Sequence, residues 1–79
     1  MEITKYDAMK EALLRAIPRT ERGVPSQDLP SRIQPFLDKS AFTPGESVTW
    51  YCMTVKLDLE ARGVVERVDG TRIERIRRA

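Results

Sequence analysis

The sequence predicts an α+β domain in which three helices are followed by a C-terminal β-hairpin. Three observations carry that prediction. Val55 to Arg62 keeps a helical rhythm up to Gly63, a residue free to take the left-handed conformation in which helices often end. From Val64 onward the pattern becomes that of strands around an Asp69-Gly70 turn signal. Upstream, two further segments carry apolar residues at helical spacing.

Thr4 opens the first helix, since its hydroxyl can accept from free backbone amides, and Asp7 three residues on completes a weak capping box. Tyr6, Met9, Leu13, Ala16 and Ile17 then form one apolar stripe, which Pro18 ends by disfavouring the α conformation at Ile17. Arg19 to Gly23 reads as a loop, and Val24 adds a short strand beside the later hairpin. Ser26 caps a second helix whose apolar residues are Leu29, Ile33, Phe36 and Leu37. Pro30 is tolerated in its first turn, whereas Pro35 kinks or shortens it. The third helix has two candidate starts, a Thr43-Pro44-Gly45-Glu46 capping box and Ser47.

At about 100° per residue, Val48, Cys52, Val55 and Leu59 form one apolar arc of this third helix, with Tyr51 at its margin. Trp50, Met53, Leu57 and Ala61 form a second arc on nearly the opposite side. Two readings of the second arc stand side by side. Either the helix is central and both arcs are core, or Trp50, Met53 and Leu57 form a protein interface, where Trp and Met are favoured. Thr49, Met53, Lys56 and Glu60 are the residues expected to face outward. In the hairpin, a type I turn ending at Gly70 places Val65 opposite Ile73 and Glu66 opposite Arg72; a two-residue turn over Asp69-Gly70 would put Glu66 opposite Ile73, a poorer match.

With 79 residues the chain has room for one domain, residues 1–79, and one modest core, because chains this short bury only roughly 60% of their unfolded surface. A hydrophobic content of 41% with 33% charged residues is that of an ordinary globular protein. The net charge of +2, from 14 basic and 12 acidic residues, is too small to act as a nucleic-acid signature. Only the end is biased: Arg67, Arg72, Arg75, Arg77 and Arg78 face Asp69 and Glu74, which makes either a basic patch or a solubilising terminus. No apolar run is long enough to span a bilayer and no signal-peptide core is present, which points to the cytosol.

Catalysis finds little support. The chain has no histidine, so the commonest general base is missing. Its four glycines stand singly, without a phosphate loop or dinucleotide fingerprint. Asp7 and Glu11 share a helical face, but beside Lys10 and Arg15 they read as a solvated surface. Cys52 is the only cysteine, which rules out an intramolecular disulfide and a zinc cluster. No enzyme activity, cofactor, metal, membrane or small-molecule ligand is expected.

The element order and the residues Val55 to Arg67 resemble a winged helix-turn-helix domain, in which a leucine-rich third helix stops at glycine and β-branched residues open the wing. Trp50-Tyr51 followed by Val55 to Gly63 is also similar to a group of small uncharacterised bacterial proteins built as a lone winged helix. The resemblance implies the fold and carries over no ligand; the leading functional expectation is DNA binding in a transcription-related role, as a symmetric dimer where a specific site is read. Thr49, Lys56 and Met53 would then lie in the major groove, Arg67 and Arg72 on the wing, and Arg75, Arg77 and Arg78 near phosphates. Many DNA-reading winged helices line the outward face of the third helix with Arg, Lys, Gln, Asn or Ser. Here Asp58 and Glu60 offset Lys56 and Arg62, so this face is a poor phosphate seeker. The alternative function is a protein-interaction or self-association module that uses the third helix and binds no nucleic acid.

Overall fold

The computed structural model describes residues 3–42 and 45–79. Its α-helices are α1 (Ile3–Ala16), α2 (Leu29–Arg32) and α3 (Val48–Ala61), and its strands are β1 (Val24–Pro25), β2 (Val65–Arg67) and β3 (Arg75–Arg78). The fold is α+β, and the strands form an antiparallel sheet in the order β1-β3-β2.

Met9 and Leu13 of α1, and Ile17 just beyond it, are completely buried as its periodicity predicts, while Tyr6 and Ala16 of that stripe are only partly buried and Ala12, outside the stripe, is buried as well. The helix ends where Ile17 N–H closes on Leu13 O at 2.8 Å ahead of Pro18. Thr4 lies inside the helix rather than at its cap, whose position falls outside the described residues. Ser26 is buried at the head of a 3-10 turn, Ser26–Asp28, and makes no capping bond there. Pro30 occupies the first turn of α2, and the helix lasts only four residues, so Pro35 shortens rather than kinks it. Leu29, Ile33 and Leu37 still reach the core, but the helical phase is lost beyond Ile33 and Phe36 turns outward, 42% exposed.

Ser47 is the cap of α3: its hydroxyl accepts from Trp50 N–H at 3.0 Å. Gly45 and Glu46 precede the helix, and Thr43 and Pro44 of the alternative capping box lie outside the described residues. At the other end Gly63 has φ +75°, and two reverse bonds close the terminus, Gly63 N–H to Glu60 O at 3.1 Å and Val64 N–H to Leu59 O at 2.9 Å. This is a Schellman stop, which satisfies carbonyls that the helix would leave open and turns the chain directly into β2.

The hairpin register differs from the expected one. Val65 lies opposite Arg78, Glu66 opposite Arg77 and Arg67 opposite Ile76. Val68 N–H to Arg75 O at 2.9 Å is the last rung, and the loop beyond it is closed by Thr71 Oγ1 against Val68 O and Ile73 O. The reason lies in β1, which pairs Val24 with Ile76 and thereby fixes Ile76 as the buried residue of β3, leaving Ile73 in the loop and 45% exposed. Glu66 does meet an arginine across the ladder, Arg77 at 2.8 Å, rather than Arg72. Where the chain enters β1 it passes very close to β3: a Cβ on Gly23 (φ +61°) would sit 2.2 Å from Ile76 O, so a side chain there would push the loop off the sheet.

Candidate functional site

Helix α3 packs on α1, β2 and α2, and this placement decides which of its two arcs is inside. Cys52, Val55 and Leu59 are fully buried, with Val48 and Tyr51 packed at their edge. Burial pushes the Cys52 thiol up to about 11, against a smaller opposing pull from Lys56. Trp50 and Leu57 are 57% and 51% exposed, and Met53 is half-buried beside them. The second arc therefore faces solvent. Trp50 is held there by an edge-on contact with Tyr51, whose ring centroid is 5.0 Å away, and Tyr51 in turn meets Phe42 at 5.2 Å.

Lys56 departs from the expected outward orientation. It is 1% exposed, turned between α3 and the hairpin, where its ammonium donates to Glu74 Oε2 at 2.9 Å and lies 3.8 Å from Glu60. Arg67 closes a ring with the same two carboxylates, at 3.1 Å from Glu60 and 3.2 Å from Glu74. A buried ammonium is tolerated only with such partners, because an unpaired charge in a core is very costly. The Ser26 side chain, followed by Lys56, holds the Glu74 carboxyl below its usual range, and Glu60 raises the Arg67 guanidinium above its own.

The other candidate DNA contacts are dispersed. Thr49 is exposed on the first turn of α3, and Arg72 is exposed in the hairpin loop with no ion pair among the described residues. Of the remaining C-terminal arginines, Arg75 donates to the carbonyls of Arg22 and Gly23, and Arg77 donates to Glu21 O and Glu66. Much of the basic surplus of the C-terminal segment is thus engaged inside the molecule.

The sequence reading did not anticipate the ring of Lys56, Glu74, Arg67 and Glu60. One signal for it was present, the i,i+4 spacing of Lys56 and Glu60, but Glu74 enters from a loop whose register was misplaced. A second link was also missed: Tyr6 OH donates to the Asp58 carboxylate, which also accepts from Arg62 at 2.9 Å. These two donors, Tyr6 foremost, hold Asp58 below the ordinary carboxylate range, and the Tyr6 bond pins α1 to the C-terminal half of α3. Among the described residues, no three His, Cys, Asp or Glu side chains converge to hold a metal ion, and no helix is long and apolar enough to cross a membrane.

The chain belongs to the family of unknown function DUF6958, which it matches over residues 1–76. No curated protein and no solved structure matches it. The functional reading therefore rests on the chemistry of α3 and the hairpin.

Proposed function

We propose that this chain is a protein-docking module built on the winged helix-turn-helix plan, with the outward stripe of α3 as its contact surface. The order α1-β1-α2-α3-β2-β3, the sheet order β1-β3-β2 and a third helix that stops at Gly63 and runs straight into a hairpin support the winged-helix part of this reading. In that plan α3 is the helix that would enter a DNA groove.

The carrying observation is the composition of its solvent face. Trp50, Met53 and Leu57 stand outward, while Lys56 is turned inward and paired. A groove-reading helix needs donors aimed at base edges and cations near phosphates, since phosphate contacts supply most of the sequence-independent affinity. Arg67, the wing residue nearest to that task, is shared between Glu60 and Glu74. A tryptophan beside a methionine and a leucine is instead the composition of an interface centre, and a contiguous apolar patch of this kind marks a contact site on soluble proteins.

A titration of labelled duplex DNA, followed by fluorescence anisotropy at low and at moderate salt, tests this reading. It requires no saturable binding at either ionic strength. Saturable binding whose log affinity falls steeply with log salt, with a slope lowered by about one in Arg72→Ala, would assign the chain to DNA instead.

A further inference from the structure

The outward stripe of α3 is arranged as its own complement. Trp50, Thr54, Leu57 and Ala61 follow one another at spacings of four, three and four residues, the spacing that keeps a seam on one side of a helix. Along that seam large and small side chains alternate: Trp, Thr, Leu, Ala. Read from the other end the order is small, large, small, large. Two antiparallel copies of α3 therefore place Trp50 of one copy over Ala61 of the second and Leu57 over Thr54, so that each bulky group meets a small one. A parallel pair would instead set Trp50 against its own equivalent and leave a gap at Ala61.

We infer that the partner docking on this stripe is a second copy of the chain, joined by an antiparallel α3 pair about a two-fold axis between Thr54 and Leu57. The inference rests on the protein-docking reading above and adds the identity of the occupant. Charge placement agrees with it. In this register Asp58 lies level with Met53 of the second copy and Glu60 level with its Tyr51, so no carboxylate faces another. The two helix dipoles also run in opposite directions, which favours the pair. An isologous contact of this kind closes on itself and leaves no second sticky end.

The contact is small. A helix of this length is about 20 Å long and about 10 Å across, so one pair of ridges covers less than the roughly 800 Å² per partner of a standard stable interface. The dimer is accordingly reversible and populated at high protein concentration. Its core is Trp50 and Leu57, the two large apolar residues that leave about half of their surface open on α3.

Sedimentation equilibrium over a series of concentrations tests the pairing on the intact chain, with far-ultraviolet dichroism confirming that each variant is folded. The parent mass should rise from one chain to two with concentration. Trp50→Ala should stay monomeric, and so should Ala61→Trp, because two indoles would then meet in one layer. The double variant Trp50→Ala, Ala61→Trp exchanges large for small in both layers and should recover the concentration-dependent dimer. A parent that stays monomeric at every concentration, an Ala61→Trp chain that associates more strongly, or a double variant that fails to recover would overturn the second copy as occupant. Acrylamide quenching of Trp50 in dilute parent protein separates that failure from failure of the docking reading. An open indole leaves the docking face standing without its dimer, whereas a shielded one overturns both.

Discussion

The two faces of α3 are nearly matched in composition and opposite in environment. One side carries Val48, Cys52, Val55 and Leu59 and lies against α1 and the sheet; the other carries Trp50, Met53, Leu57 and Ala61 and lies in solvent. Hydrophobic periodicity locates both arcs but cannot rank them, because it records only that apolar residues recur at helical spacing. What ranks them is the rest of the molecule. Tyr6 bonding to Asp58, and Lys56 to Glu74, clamp the helix from both flanks and hold its rotation about its own axis. The packing of α1, α2 and β2 on α3 decides which apolar face is core, and the polar flanks hold it there.

That comparison is most severely tested by the buried side. Leu59→Ala should cost about 2–5 kcal/mol, the range for emptying a fully enclosed aliphatic site, read as a lowered denaturant midpoint with an unchanged slope. An unaltered midpoint would mean the helix is rotated from the orientation described. Next in size is the flank. Lys56→Ala should cost about 2 kcal/mol, since hydrogen bonds to charged groups contribute roughly 1.5–3 kcal/mol and Glu74 would lose its ammonium partner, keeping the Ser26 side chain and the exposed Arg67. Lys56→Met, which retains the buried stem, should recover part of the loss. A neutral Lys56→Ala would show that the ammonium reaches water.

The same flank sets a pH dependence. Glu74 has a folded-state pKa below its unfolded value of about 4.3, so its stabilising contribution is present above that value. It is lost as the pH falls through the lower, folded value. Stability measured by denaturation should therefore hold between neutrality and about pH 5 and fall below it, with a shallower fall in Glu74→Gln. An equal slope in parent and variant would remove Glu74 from the account. The smallest effect belongs to the solvent face: Trp50→Ala should change monomer stability by less than about 1 kcal/mol, losing only an edge-on contact with Tyr51. A loss comparable with that of Leu59→Ala would place Trp50 in the core.

Much of the fold was legible because its signals are local. The stripe of α1, the stop at Pro18 and the glycine end of α3 each depend on residues within a turn or two, Ser47 was one of two competing caps that spacing alone did not separate, and the short strand at Val24 followed from its position. The hairpin register was not legible, because Ile76 is selected for burial by Val24, some fifty positions away. The site divides in the same way. Trp50, Met53 and Leu57 were identifiable as a face from spacing alone, while the burial of Lys56 depends on Glu74 arriving from the misregistered loop. Of the residues named for DNA contact, Thr49 and Arg72 are exposed, Arg67 is ion-paired, and Lys56 is both ion-paired and inaccessible.

The central claim, that α3 turns its tryptophan face to solvent and its cysteine face inward, is tested most directly by the fluorescence of Trp50, the only tryptophan in the chain. In dilute native protein the account predicts red-shifted emission and acrylamide quenching close to that of the unfolded chain. Blue-shifted emission with strong protection from the quencher, relieved only on unfolding, would contradict it.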